Sequence, residues 1–277
     1  MAYAQTLSPD AAAQLLAWYA EMGVDIALDD EPRDRFAEAP PAPAAARLVQ
    51  DLPEPRAREV APAPVPSMLA LPHEQLLGDA RSAAASASTL EELRALLESY
   101  EGIGLRRTAT RLVFADGNPA ARVMMVGEAP GREEDREGVP FVGPAGQLLD
   151  RMLAAIGLDR SGVYIANVVP WRPPGNRTPT VQEMELCLPF IRRQIELASP
   201  DILVMLGGSA AAALTGTKDG ILKARGRWTE YGAGARTIPA VATLHPAYLL
   251  RTPLQKRLAW RDFRALKARL DGGGSGG

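Results

Sequence analysis

Short apolar runs alternate with amphipathic segments through the middle of the chain. Each run is followed within a few residues by Gly or Pro, which is typical of buried strands. Between the runs, apolar residues recur at helical spacing, and capping-box pairs mark helix starts at Thr89 and Thr180. The pattern predicts strands near 122–126, 163–168, 201–206 and 238–243, and helices near 145–156, 180–198 and 208–214. Strands that alternate with helices form mostly parallel sheets covered on both faces, so the predicted fold class is α/β.

The two ends of the chain differ in composition from the middle. Leu15, Trp18, Tyr19 and Met22 fall at helical spacing and predict a short amphipathic helix. We expect it to dock on the rest of the chain rather than on a partner, because its apolar stripe would otherwise be exposed. A Pro- and Ala-rich stretch follows, typical of a tether, and the Gly/Ser tail resembles an expression or fusion linker. The predicted organisation is a helix in 1–28, a linker in 29–72, a main domain in 73–270 and a tail in 271–277.

Charge is distributed unevenly along the 277 residues, whose net charge is −2. Residues 1–70 carry eleven acidic and five basic side chains, so the rest of the chain is net basic. Basic residues predominate from Arg251 onward, which suits either contact with phosphates or a solvated helix face. No apolar run of 18 residues and no signal-peptide pattern occurs, which predicts a cytoplasmic protein without membrane contact. The single cysteine, Cys187, excludes an internal disulfide.

Three loops that follow predicted strands concentrate residues suited to binding a flat polar ligand. In open α/β sheets, ligands bind at the carboxyl ends of the strands. Glycines allow close approach of the backbone, carboxylates orient water, and an aromatic ring stacks on a base. The loops are Gly127-Glu128-Ala129-Pro130-Gly131 with Glu133-Glu134-Asp135 and Phe141, the stretch from Asn167 to Arg177, and the stretch from Leu244 to Arg251.

In this order the loops resemble the motifs of the family 4 uracil-DNA glycosylases: a GEAPG loop, an Asn before an RPPGNR stretch, and an HPxxLLR loop. The resemblance covers about residues 85–270. It implies a three-layer α/β/α sandwich with a central four-stranded, mostly parallel sheet. It also implies a monofunctional base excision repair enzyme that flips uracil out of single- or double-stranded DNA and hydrolyses its N-glycosidic bond, leaving an abasic site. We expect this enzyme to be a monomer.

The resemblance assigns roles residue by residue. Phe141 would stack on uracil, and the amide of Asn167 would pair with O4 and N3–H, a pattern that cytosine reverses. His245 would donate a hydrogen bond to O2 as the base departs. Glu134 would also organise its loop, and at least one of the two leucines is expected to pack in the core. The predicted site comprises Gly127, Ala129, Phe141 and Asn167 at the base, Glu128, His245 and Glu134 in catalysis, Asn176 and Arg177 as loop organisers, and Leu249, Leu250 and Arg251 at the DNA gap.

The chain departs from family 4 in its cysteines. Members of that family usually hold a [4Fe-4S] cluster through four cysteines, whereas this chain has one. Alignment on the flanking motifs leaves Cys187 at one ligand position and places Tyr100, Ile103 and Trp171 at the other three. We therefore predict a protein without the cluster, any other metal or a cofactor, in which these side chains fill the volume by apolar packing.

Other functions remain open from the sequence. Ala129 stands where family 1 enzymes carry an Asp, and where a related branch that links covalently to DNA carries a Gln; that branch's KRRIH-like stretch is also missing. A catalytically silent module that binds DNA or a repair partner is one alternative, against which the intact Glu128, Phe141, Asn167 and His245 argue. A glycosylase for another deaminated base, such as hypoxanthine, is a second. A flavodoxin-like nucleotide enzyme is disfavoured, because neither GxGxxG nor a P-loop occurs.

Overall fold

The computed structural model of the protein describes residues 73–272. The helix predicted in 1–28, the linker in 29–72 and the tail residues 273–277 lie outside that part of the chain. The strands are β1 (Asp116–Gly117), β2 (Val123–Gly127), β3 (Val163–Asn167), β4 (Ile202–Leu206), β5 (Trp228–Ala233) and β6 (Arg236–Thr243). The helices are α1 (His73–Ser86), α2 (Leu90–Ser99), α3 (Arg132–Glu137), α4 (Pro144–Ala154), α5 (Val181–Ala198), α6 (Gly208–Thr215), α7 (Ile221–Ala224), α8 (Pro246–Arg251) and α9 (Lys256–Gly272).

The strands form one sheet in the order β1-β3-β2-β4-β6-β5. The inner four strands are parallel, as predicted, and the predicted α/β class is confirmed. The strand count was wrong, because β1 and β5 add an antiparallel strand at each edge. Neither has the apolar run of a central strand: β1 has two residues, and β5 buries only part of its length. Gly234, with a positive φ of 62°, lies in the tight turn that leads from β5 into β6.

Both faces of the sheet are buried, which explains the uninterrupted apolar runs of the central strands. Along β2, Met124 and Val126 join one hydrophobic cluster, and Val123 and Met125 join the cluster on the other face. Side chains of α2, α5 and α6 cover the first face, and side chains of α4 and α9 cover the second. This is the three-layer α/β/α arrangement that the sequence predicted.

Local capping fixes where the main helices begin. Thr89 Oγ1 accepts a hydrogen bond from Glu92 N at 3.1 Å, and Thr180 Oγ1 accepts one from Glu183 N at 3.2 Å, so both predicted helix starts are confirmed. A short 3₁₀ turn, Pro253–Gln255, leads into α9. Between residues 73 and 272, no helix is long and apolar enough to span a bilayer.

Candidate active site

The parallel register brings the carboxyl ends of β2, β3, β4 and β6 to one edge of the sheet. A cavity of about 510 Å³ opens there, and its wall contains most of the residues predicted from the sequence. Gly127 lies at the end of β2, next to Asn167 on β3. The predicted residues that line the cavity are Glu128, Ala129, Glu134, Phe141, Asn167, Asn176, Arg177, His245 and Arg251.

Phe141 lines this cavity, and Gly127 lies close to its ring. The Phe141 side chain is buried, and its ring lies 5.5 Å from the His245 ring, centroid to centroid, at an interplanar angle of 31°. A Cβ at position 127 would lie 2.4 Å from Asn167 Oδ1 and 2.7 Å from Phe141 Cζ. Only glycine therefore lets the aromatic ring and the amide approach each other over the end of β2.

The Asn167 side chain is buried without a polar partner among the described residues. It is 3% exposed, and neither Nδ2 nor Oδ1 makes a hydrogen bond there. Buried polar groups in proteins are almost always paired, because an unpaired amide loses its hydration without compensation. An orphaned donor and acceptor in the wall of a cavity therefore indicate a ligand that presents the complementary pair.

His245 immediately precedes α8 and caps its first turn. Its Nδ1 accepts a hydrogen bond from Ala247 N at 3.1 Å, which places the ring proton on Nε2. Burial, with a smaller contribution from the positive charge of Arg251, lowers the pKa of His245 to about 4. The neutral imidazole is thus a fixed N–H donor in the cavity.

His245 should stay neutral at pH values where an ordinary imidazole is protonated. Its folded pKa lies below the unfolded value of 6.5, so stability present at neutral pH is lost as the pH falls from about 6.5 to 4. We expect ¹⁵N NMR to show the Nε2–H tautomer down to about pH 4. The His73→Gln variant assigns the signals, since the chain has two histidines. A titration midpoint near 6.5 would contradict the neutral donor.

The two candidate carboxylates differ in what they contact. Glu134 Oε2 accepts from Gly131 N at 3.0 Å, and Oε1 accepts from Val142 N at 3.1 Å and Gly143 N at 2.9 Å. Both oxygens thus accept hydrogen bonds from the backbone, which favours Glu134 as the organiser of its loop over the predicted catalytic role. Glu128 is half-buried in the cavity wall, and its carboxylate makes no hydrogen bond within the described part of the chain.

The loop after β3 is held by two arginines. Asn176 Oδ1 accepts from Arg172 Nε at 2.6 Å, and Arg177 forms two hydrogen bonds of 2.7 Å with Glu183 at the start of α5. The Arg177 guanidinium is the main cause that lowers the pKa of Glu183 to about 2. Asn176 and Arg177 therefore lie where loop organisers were predicted. Arg172, which sequence reasoning missed, holds Asn176 directly.

Helix α8 separates the three residues predicted at the DNA gap. Leu249 is 1% exposed and packs with Leu148, Leu244 and Ala259, as expected of at least one of the two leucines, which leaves Leu250 as the wedge candidate. Leu250 is 40% exposed and Arg251 lies at the cavity. On a single helical turn, consecutive residues point in different directions, and only one of the two leucines faces the core.

Sequence reasoning also missed the loop after β4. Gly207 and Gly208 line the cavity, and Gly207 adopts a φ of 99° beside His245. Gly207 N donates to Thr243 O at 2.8 Å, which joins the ends of β4 and β6. The signal was present, since two glycines directly follow an apolar strand, the same pattern that marked the first loop.

The four positions implied for an iron-sulfur cluster carry one thiol. Ile103, Trp171 and Cys187 are buried in one hydrophobic cluster, and Tyr100 packs against it with its ring 5.0 Å from that of Phe190. Burial raises the pKa of the Cys187 thiol, which opposes formation of a thiolate. A [4Fe-4S] cluster needs four thiolate ligands, so these residues do not fit it. Within 73–272, no group of three or more His, Cys, Asp or Glu side chains is placed to hold a metal ion.

Comparison with known proteins agrees with this geometry. Residues 114–264 match the family model described as the uracil DNA glycosylase superfamily. The chain is 46% identical over 167 residues to a type-4 uracil-DNA glycosylase of Thermotoga maritima, covering 59% of this chain and 85% of that protein. It is 38% identical over 182 residues to a type-4 uracil-DNA glycosylase of Archaeoglobus fulgidus, covering 64% and 92%. The resemblance predicted from the three loops is thereby confirmed, and the chain belongs to the uracil DNA glycosylase superfamily.

Proposed function

We propose that this protein is a monofunctional uracil-DNA glycosylase of base excision repair, which flips uracil out of DNA and hydrolyses its N-glycosidic bond. The observation that carries the proposal is the buried amide of Asn167, which has no polar partner within residues 73–272 and lies close to the Phe141 ring and the end of β2. Uracil offers O4 as an acceptor and N3–H as a donor on one edge, which satisfies both orphaned atoms. Base–aromatic stacking of about 1 to 3 kcal/mol on Phe141 offsets part of the cost of extruding the base.

Catalysis requires groups that stabilise the charges formed on the sugar and on the departing base. As the glycosidic bond breaks, the sugar gains oxocarbenium character and uracil leaves with negative charge on O2. The Nε2–H of His245 donates a hydrogen bond to that oxygen. Because the imidazole is neutral, it stabilises the negative charge as a hydrogen-bond donor and does not protonate the base. Glu128 is the carboxylate free to orient the attacking water and to stabilise the positive sugar, whereas Glu134 holds the loop backbone.

We further propose that the enzyme works without iron, as a monomer in the cytoplasm. The support is the single cysteine and the apolar packing of Tyr100, Ile103 and Trp171 around it. Protein purified without oxygen should be colourless and contain no stoichiometric iron, and Cys187→Ala should retain activity in EDTA. An iron content near four atoms per chain, lost in the Cys187→Ala variant together with activity, would overturn the iron-free proposal. Light scattering during gel filtration tests the monomer.

The two leucines of α8 should separate stability from action on DNA. Leu249→Ala removes a buried side chain and should lower the free energy of unfolding by about 2 to 5 kcal/mol. Leu250→Ala should change it by less than about 0.5 kcal/mol, because the side chain is exposed. As the wedge candidate, Leu250 should matter more for uracil in double-stranded than in single-stranded DNA. Urea unfolding and the strand ratio of kcat/KM measure the two effects; an unchanged strand ratio in Leu250→Ala argues against the wedge.

The defining experiment supplies matched single- and double-stranded oligonucleotides that carry one uracil or one hypoxanthine, in EDTA, followed by alkaline cleavage and a denaturing gel. Multiple turnover on uracil is the expected result. Intact oligonucleotides that are nonetheless bound would favour the silent DNA-binding module, and a gel-stable protein–DNA adduct would favour the covalent branch. Cleavage confined to hypoxanthine would reassign the base.

A further inference from the structure

Arg160 lies outside the cavity, in the short turn before β3, yet it grips the loop that carries Phe141. Its Nη1 donates to Pro140 O at 3.2 Å, and its Nη2 donates to Phe141 O. The same guanidinium pairs with Asp116 Oδ2 at 2.6 Å and with Asp150 Oδ1 at 2.8 Å. One side chain thus connects β1, α4 and two consecutive carbonyls of the loop.

The Phe141 backbone is in a conformation that needs such support. Its φ is 56°, in the left-handed region that bulky residues rarely adopt and that persists only where the surrounding structure imposes it. On one side, α4 packs so closely that a Cβ at Gly146 would lie 1.6 Å from Phe141 O. On that same carbonyl, Arg160 supplies the hydrogen bond. Arg160 thus holds the backbone carbonyl of Phe141 while the Phe141 side chain lines the cavity.

We propose that Arg160 is a positioning residue, which holds the Phe141 ring in the orientation that stacks on the base. This inference rests on the proposed function, since stacking on a flipped base gives the ring its role. The two carboxylates hold the guanidinium fork so that two of its nitrogens face the Pro140 and Phe141 carbonyls. A lysine at this position keeps the positive charge, but its single ammonium group cannot contact both carboxylates and both carbonyls in the same geometry.

A matched control is available at the amino end of the neighbouring strand, β2. Arg122, just before β2, also bridges a carboxylate and a carbonyl: its Nε pairs with Asp201 Oδ2 at 2.8 Å, and its Nη1 donates to Leu270 O at 3.3 Å. Arg122 is not among the described residues that line the cavity. Arg122→Gln therefore removes a comparable ion pair and carbonyl contact without touching the loop of Phe141.

The test compares Arg160→Gln, Arg160→Lys and Arg122→Gln in the wild-type and Phe141→Ala backgrounds. Arg160→Gln should lower kcat/KM on uracil DNA by about 10- to 100-fold and weaken inhibition by free uracil, because a small misplacement of a binding group is costly. Binding to DNA with a tetrahydrofuran abasic analogue, which has no base to stack, should stay within about 2-fold. Arg160→Lys should recover part of the loss. In the Phe141→Ala background, Arg160→Gln should add less than about 2-fold, since the ring that it positions is gone.

Two results would contradict a positioning role for Arg160. Arg160→Gln that behaves like Arg122→Gln, or that multiplies fully with Phe141→Ala, overturns the positioning role. If Arg160→Gln does not fold, Asp150→Asn loosens the guanidinium from one side and should give a smaller loss of the same kind. Labelling the five phenylalanines with fluorine gives a readout that needs no activity: the Phe141 signal should shift or broaden in Arg160→Gln alone. If the wild-type protein releases no uracil but Arg160→Gln still shifts or broadens the Phe141 signal, the proposed function is refuted and the positioning of Phe141 by Arg160 is retained.

Discussion

Replacing Asn167 by aspartate should lower kcat/KM for uracil-containing DNA by about 10⁴-fold, the scale found where a site built to hydrogen-bond a substrate loses its match. A carboxylate has acceptors only, so it repels uracil O4 where the amide donated. The preference for uracil over cytosine should fall as well, since cytosine presents an amino donor at that position. Activity should rise again as the pH falls, because a protonated carboxyl regains a donor. The measurement is kcat/KM on matched uracil and cytosine oligonucleotides between pH 5 and 8.

Asn167→Ala separates this role from folding. The amide has no polar partner among the described residues, so its removal should leave the free energy of unfolding unchanged or slightly higher, even though activity is lost. A variant that loses stability as well as activity would mean that the amide pairs within the protein. An Asn167→Asp enzyme with unchanged selectivity for uracil would remove Asn167 from base recognition altogether.

Replacing His245 by alanine should lower kcat by about 10²- to 10³-fold, the cost of removing one preorganised donor to a developing anion. KM should change little, because the hydrogen bond strengthens mainly as charge builds on uracil O2. The acid limb of the wild-type profile should fall near the folded pKa of about 4 rather than near 6.5. Single-turnover rates across that pH range test both statements.

Two variants serve as controls for the loss of kcat in His245→Ala. His245→Ala also deletes the acceptor for Ala247 N, so His245→Asn, which retains a good helix cap, shows how much of the effect comes from the cap. His73→Ala is the matched control, because the second histidine pairs with Glu185 outside the cavity. Full activity in His245→Asn, or equal losses in the two alanine variants, would contradict catalysis by the imidazole donor.

Most of the fold could be predicted because its signals are local. Buried parallel strands show as apolar runs, and helix starts show as capping boxes at Thr89 and Thr180. The edge strands β1 and β5 escaped prediction since their pairing depends on the neighbouring strand and not on their own apolar content. The predicted site came together for a similar reason: each loop follows a strand, and parallel strands bring their carboxyl ends to one edge.

The spacing of residues along the chain could not show which of two chemically similar residues takes which role. Leu249 and Leu250 are chemically identical, and only the packing of α8 buries one and exposes the other. Glu128 and Glu134 have the same carboxylate, but backbone amides from two loops occupy both oxygens of Glu134 alone. Arg160 carried no motif at all, because its contacts are to carbonyls and carboxylates distant in sequence.

The sequence by itself determined the α/β class, the superfamily, the strand-end loops and the lack of four cluster cysteines, because each depends on residue type and local order. Only the tertiary structure decided the tautomer of His245, the lack of a polar partner for Asn167 among the described residues, the backbone hydrogen bonds of Glu134 and the hydrogen bond from Arg160 to Phe141 O. Those properties depend on which hydrogen-bonding groups meet in space and which are shielded from water, and side chains far apart in the chain determine both.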